Sequence, residues 1–495
     1  MPFVDNIVRA IFEDPKIEYK YEDVQEYRLQ VSSVKIQLFN WEKLKTVLDN
    51  FSSQDKIIID FKMDEGDPFT INSKDGKEKI EDWLTDIKDQ NLVRDEDSTF
   101  YLTISIVKTV STSNGLNIYD FEDFVQCLNG LSLKGLLTSF NNVLGNRDFI
   151  RFNLLNSDED FYTNTFCFSG KGTKGCKNQS VAKDQLLEEG SKVRYFLNAP
   201  TYPFIPEDFF LVNRSSNQII NEIFDKLALV YTLIYVADIS EFPDADSLKV
   251  RCNGYKTVNN ALSFKGLDPK ALKLFYPIYQ WIYDEGNLVD KIGIARNVIT
   301  LHARNNSILN ITDNAYETIK SNYIIYQKQN LQQYIGIKNQ VTQFIYEMAL
   351  KSNELVDSFA STFKKNIQWL VTFYITVLVF NTLSRGRIEN IFTQDITYIS
   401  YGILAISVVV LLLALFESFS RKGRFLQQYD ETKQYYDDLL DTEDLEKIFK
   451  EGKSREENNR YINKKIQVYA VAWLLVVLIM AIVTYKLNAT YLSTK

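Results

Sequence analysis

The sequence predicts an α+β cytoplasmic region followed by a helical connector and three transmembrane α-helices. Three observations carry this. Strand-like and helix-like periodicities alternate through roughly the first 310 residues. All nine prolines lie at or before Pro277, so the 218 residues after it can run in long unbroken helices. Three windows near the C-terminus contain no Asp, Glu, Lys or Arg and approach the ~20 apolar residues that a spanning helix needs.

Residues 1–125 read as an α+β domain. Tyr27 to Phe39, Lys56 to Met63 and Phe100 to Val110 are rich in Val, Ile and aromatics and predict strands. The segments WEKLKTVLDNF and KEKIEDWLTDI carry helical spacing. Residues 126–310 read as a second, mixed domain and a candidate ligand sensor. Strands are expected at FIRFNLL, FYTNTFCFS and SLKVRCNGY, and helices at about 215–236 and 269–284.

A helical connector is expected over 311–365. It starts near Asn314, with Glu317 three residues on in a capping pattern. Apolar residues from Ile319 through Val341, Met348 and Phe359 to Phe363 recur at spacings of three and four, which makes one face amphipathic. Gly336 or the Ser352-Asn353 pair is the natural place for a break. Without one, the helix would continue into the first apolar window and run for about 70 residues, or ~105 Å.

The membrane domain is expected over 366–495. Its spans are placed at Ile367–Leu383, Ile396–Phe416 and Ile466–Tyr485. The alternative, three buried core helices of a soluble protein, fits poorly with so many charge-free residues in one quarter of a chain. Residues 417–465 between the last two spans are charged and helically periodic, which predicts a cytoplasmic helical hairpin with a break at Gly452. Eight basic residues flank one side of the spans (Lys364, Lys365, Arg421, Lys422, Arg424, Arg460, Lys464, Lys465) and four the other (Arg385, Arg387, Lys486, Lys495). The bias places the N-terminus and the hairpin in the cytoplasm and the C-terminus outside the cell's inner membrane. The first residues, MPFVDNIVRAIFEDPK, lack a signal-peptide pattern, in keeping with a cytosolic soluble region.

Composition narrows the function. A net charge of −8 argues against a polyanion binder acting over the whole surface. The four cysteines have no paired spacing and read as free thiols. His302 is the only histidine, which removes most histidine-based catalytic and metal designs, so neither a metal nor another cofactor is expected. None of the apolar windows holds an ionisable group, which weighs against an ion-coupled transporter.

Three groups of residues are candidates for function. On the first span Gln368, Thr372 and Thr376 share a helix face, with Asn381 further on. They are a candidate pore lining or, equally, an interhelical hydrogen-bond seam. Three spans are few for a monomeric pore, so a channel would be a homo-oligomer. The second group is Gly170–Lys177, GKGTKGCK, where Lys171, Lys174 and Lys177 lie on a glycine-rich backbone and Lys192 and Arg194 follow. Cys176 stands where a P-loop has its lysine, so the motif is not a Walker loop. It is a candidate phosphate-binding site or a solvated hairpin loop. The third is Arg296, Asn297 and His302 in a helical stretch. Asp60-Phe61-Lys62 is a weaker pattern, half of a nuclease motif without its acidic partner.

Two resemblances follow. Arg296-Asn297-Val-Ile-Thr-Leu-His302 resembles the Arg–polar–x4–His motif of HEPN ribonucleases. That implies metal-independent RNA cleavage at a dimer interface, with His302 moving a proton and Arg296 stabilising charge. The layout, a long soluble region before three C-terminal spans, resembles membrane effectors of bacterial anti-phage defence, Hailong-type effectors among them. It implies a cytosolic part that senses a nucleotide or oligonucleotide made by a partner enzyme, and membrane helices that depolarise the cell. The expected function is therefore a ligand-gated oligomeric channel or membrane-disrupting effector. The alternatives are a membrane-anchored ribonuclease and a non-catalytic membrane scaffold.

Overall fold

The computed structural model describes residues 2–37, 54–170, 182–385, 392–437, 447 and 453–493. It divides into two compact units, Met1–Ile324 and Ile325–Lys495. The first is α+β and the second helical, as the periodicities predict.

The first unit has two hydrophobic cores. Helix α1 (Pro2–Ile11) and strands β1 (Lys16–Glu22), β2 (Glu26–Ser33), β3 (Lys56–Met63), β4 (Phe69–Asn72) and β5 (Phe100–Val107) surround one, with helix α2 (Lys77–Leu92) between β4 and β5. The strands form an antiparallel sheet in the order β1-β2-β5-β3-β4. Period-two alternation sets its inner face: Ile57, Ile59 and Phe61 on β3, and Phe100, Leu102, Ile104 and Ile106 on β5, are all buried. Ile80, Trp83, Leu84 and Ile87 turn the apolar side of α2 onto that core. The predicted helix WEKLKTVLDNF lies outside the described residues.

The second core begins at β6 (Gly115–Ile118). Helices α3 (Phe121–Gly130) and α4 (Leu133–Leu144) follow, then strands β7 (Ile150–Leu154), β8 (Asp160–Tyr162) and β9 (Phe166–Ser169). These make a sheet in the order β6-β7-β9-β8, parallel except for β8. Phe152, Phe168 and Phe161 stack through it, with ring centroids 4.4 Å apart at both steps. Next come α5 (Lys183–Val193), β10 (Tyr195–Phe196), the short α6 (Pro206–Phe209) and α7 (Gln218–Val236). Asn217 caps α7 by accepting from the Ile219 and Ile220 amides. From Leu227 to Val236 every residue of α7 is buried, which suits a helix that is apolar on all sides. A third sheet, β10-β11-β12-β13, adds β11 (Ile239–Glu241), β12 (Ser247–Asn253) and β13 (Thr257–Ser263). Helices α8 (Leu272–Tyr283) and α9 (Leu288–His302) complete the core.

A buried ion pair joins the two cores. Lys108 and Glu22 are both fully inaccessible, and Glu22 also accepts from the Tyr119 and Asp120 amides. These bonds satisfy charges that would otherwise be very costly to bury.

Helix α10 (Ala315–Arg385) is a single helix of 71 residues. Neither Gly336 nor Ser352-Asn353 breaks it; Ser352 is turned inward and buried. The division between the units falls within this helix. In the second unit α10 packs with α11 (Gln394–Asp437) and α12 (Lys453–Ser493). Val341, Met348, Val356 and Phe359 of α10 meet Leu411, Phe425 and Tyr429 of α11 and Ile462, Ile466 and Trp473 of α12. The predicted amphipathic face is thus the face that packs. The arms of the predicted hairpin continue α11 and α12, held by Arg455–Asp430 at 2.8 Å and Lys422–Asn463 at 2.7 Å. Gly452 lies outside the described residues.

The expectation of three spans is met by two. Among the described residues, α11 and α12 are long and apolar enough to cross a membrane, with mean hydropathies of 2.7 and 2.6 in their most apolar stretches. The α10 segment from Ile367 does not reach that standard. Lys364, Lys365 and Asn366 precede it and Gln368, Thr372 and Thr376 interrupt it.

Candidate functional site

The helical unit carries the most distinctive arrangement. The Trp473 indole N–H donates to Ser407 Oγ at 3.0 Å, and the Ser407 hydroxyl donates to Asn366 Oδ1 at 2.6 Å. Phe359 and Phe363 pack on the Trp473 ring at 6.3 and 5.7 Å between centroids. Eight residues further along α10, Tyr374 and Thr484 share a hydrogen bond of 2.6 Å. These contacts fix the level of α10 against its neighbours. Ser407 and Trp473 each lie within one turn of the middle of the charge-free stretches 396–416 and 466–485. Asn366, and with it Lys364 and Lys365, therefore sits at mid-depth of the apolar pair, not at its edge as a basic flank would.

The outward side of α10 at this level carries a polar stripe beside the exposed Trp369, Val371 and Ile375. Asp357, Ser361, Lys364, Lys365, Gln368, Thr372 and Thr376 are all exposed. Lys365, Gln368, Trp369, Thr372, Phe373 and Thr376 line an open groove of about 670 Å³. Thr372 and Thr376 direct their hydroxyls to the carbonyls of Gln368 and Thr372, each at 2.7 Å. The stripe read from sequence is thus one surface, and Lys365 extends it. Asn381 lies on the same helix, near its end.

In the α+β unit Arg296 is a structural clasp. Its Nε donates to Val236 O at 2.9 Å and one terminal nitrogen to Val193 O and Ala237 O at 2.8 Å. The other terminal nitrogen pairs with Asp238 at 3.0 Å. Arg296 is 7% exposed, while Asn297 is exposed. His302 ends α9 and shares a 2.5 Å hydrogen bond with Thr312 through Nδ1. Six positions on one helix put Arg296 and His302 about 120° apart around its axis. Gly254, in the turn between β12 and β13, faces Arg296 so closely that a Cβ there would overlap its carbonyl and the Thr300 hydroxyl.

Of the cationic candidates, Lys171, Lys174 and Lys177 lie outside the described residues. Lys192 is exposed and paired with Glu188 at 2.7 Å. The Arg194 guanidinium lies 3.8 Å from the centroid of the Tyr235 ring. The expectation of four free thiols is corrected in part: Cys127 and Cys252 are free, but Cys167 is in a disulfide.

One cleft in this unit had no sequence signal. It has a volume of about 670 Å³ and is lined by Glu207, Tyr279, Trp281, Tyr316 and Lys320 among others. Burial pushes the Glu207 carboxyl up to about 7, against the Tyr279 hydroxyl, which donates to it at 2.9 Å. Aromatic faces beside a cation and a titratable carboxyl could hold a small aromatic or heterocyclic ligand. Among the described residues, no group of His, Cys, Asp and Glu is placed to hold a metal.

Comparison with protein-family models, with curated proteins and with solved structures finds no match.

Proposed function

We propose that the chain is a membrane effector whose copies assemble into an ion channel gated by a ligand of the α+β unit. One observation carries this: the exposed polar face of α10, with Lys365, lies level with the middle of two helices apolar enough to span a bilayer. A lysine at the centre of a spanning helix costs about 3 kcal/mol. The cost is relieved where the face turns toward water or polar groups. A ring of identical subunits supplies both, because each copy presents the same polar stripe to a common axis. In this reading the third membrane segment is the stretch of α10 centred on Asn366, roughly ten residues to either side, which takes in the first part of the apolar window and faces the axis rather than lipid.

A nucleotide or oligonucleotide is the proposed ligand, bound in the α+β unit and supplied by a partner enzyme. The aromatic cleft, with stacking faces and Lys320, supports that chemistry, and the sequence segment 170–177 with Lys192 and Arg194 is the second proposed place for phosphates. A role in anti-phage defence at the inner membrane, with the N-terminus cytoplasmic, is proposed from the layout and from the basic bias, which is six to four once Lys364 and Lys365 are placed at mid-depth and no longer count as a flank.

The test uses the purified full-length protein. Light scattering in detergent should give a multiple of the 57.5 kDa subunit mass. Planar bilayers should show discrete conductance when ATP, GTP or a short oligonucleotide is added. A monomer that never conducts with these probes would refute the proposal.

A further inference from the structure

We infer that Lys365 makes the channel select anions. The inference rests on the oligomeric channel reading and adds the class of ion. Gln368, Thr372 and Thr376 offer only neutral dipoles, so they do not choose the sign of a permeant ion. Lys365 does, because it lines the same groove at mid-depth.

Its surroundings leave the charge uncompensated. Among the described residues no carboxylate lies within ion-pair distance of Lys365. On α10 the nearest carboxylate in sequence is Asp357, two turns away, roughly 12 Å along the axis. Beyond Lys365, α10 carries no charge before Arg385. On α11, Glu417 is engaged by Arg421. On α12, the charge-free stretch covers this level. Lys364 is one residue away but turned about 100° around the helix, so it adds positive potential without lining the groove. A ring of lysines in a pore lowers the barrier for anions and raises it for cations.

Two measurements test this in full-length protein in liposomes and bilayers. The first does not depend on gating. Lys365→Cys should react with a membrane-impermeant thiosulfonate, read against the wild-type background. Val409→Cys, exposed on α11 among apolar residues at a similar depth, should not. The second is the reversal potential in a potassium chloride gradient, with the nucleotide probes named above. Wild type should shift the reversal potential toward that of chloride. Lys365→Arg should keep that shift, Lys365→Gln should bring it near zero, and Lys365→Glu should invert it. Conductance that favours potassium, or that is unmoved by Lys365→Glu, overturns the inference and leaves the channel. Bilayers silent with every probe overturn both.

Discussion

Replacing Arg296 with methionine gives the sharpest test of the α+β unit, because it separates a structural arginine from a catalytic one. Methionine keeps the apolar stem and removes every donor. The carbonyls of Val193, Val236 and Ala237 then lose this partner together, and the Asp238 carboxylate keeps only the Asn253 amide. A buried polar group left unsatisfied costs about 1–3 kcal/mol, and breaking one side of a buried pair about 3–5 kcal/mol. Asp238 is partly exposed and still bonded, so its pair adds only about 1 kcal/mol; with about 1 kcal/mol for each of the three carbonyls the combined loss should be about 4 kcal/mol. At about 2 °C per kcal/mol for a large domain, the first unfolding transition should fall by roughly 8 °C. Differential scanning fluorimetry of the full chain in detergent would read it. Arg296→Lys should recover only part, since one ammonium cannot reach four acceptors in a planar fork. An unchanged transition in Arg296→Met would refute the clasp and return Arg296 to the list of groups free to act on RNA.

Two further outcomes follow from geometry already described. Glu207 holds its proton up to about pH 7 in the folded chain and to about 4.5 when unfolded. Between these values the native state binds more protons, so stability should fall as pH rises from 4.5 to 7 and level off above. The span is on the order of 3 kcal/mol. Urea titrations across that window should show the slope, and Glu207→Gln should flatten it; an identical slope in the variant would exclude Glu207 as its source. In the helical unit, Trp473→Phe should cost about 1 kcal/mol for the bond to Ser407 and Trp473→Ala about 3–5 kcal/mol for the cavity. Thermal unfolding in detergent checks both, and a silent Trp473→Ala would contradict the packing of Phe359 and Phe363 on that ring.

Much of the architecture could be read from periodicity. The strand at Lys56–Met63, the start of the long helix beside Asn314 and its inward face at Val341, Met348 and Phe359 all follow from local spacing. The depth of the helices against each other could not be read. It depends on long-range pairings such as Asn366 with Ser407, and a single sequence does not say which side chains meet. Lys364 and Lys365 therefore looked like an ordinary basic border, and only the bonds to Ser407 and Trp473 move them inward. The one hint was Asn366, a polar residue directly between the lysine pair and the apolar run. Arg296 and His302 share a motif spacing, yet the arginine's acceptors come from segments 58 to 103 positions away, which spacing cannot reveal. The cleft around Glu207 joins α6, α8 and the start of α10, and no contiguous pattern marks it.

Apolar side chains slide past one another, or past lipid, with little change in energy, so greasy helices alone fix no vertical alignment. The Trp473–Ser407–Asn366 relay and the Tyr374–Thr484 bond act as two pins at different heights. A one-turn shift of α10 against α12 would break both at once, and one of α11 would break the relay. Movement among the three helices must therefore turn or tilt them as a body; piston-like travel of one of them is excluded while the pins hold.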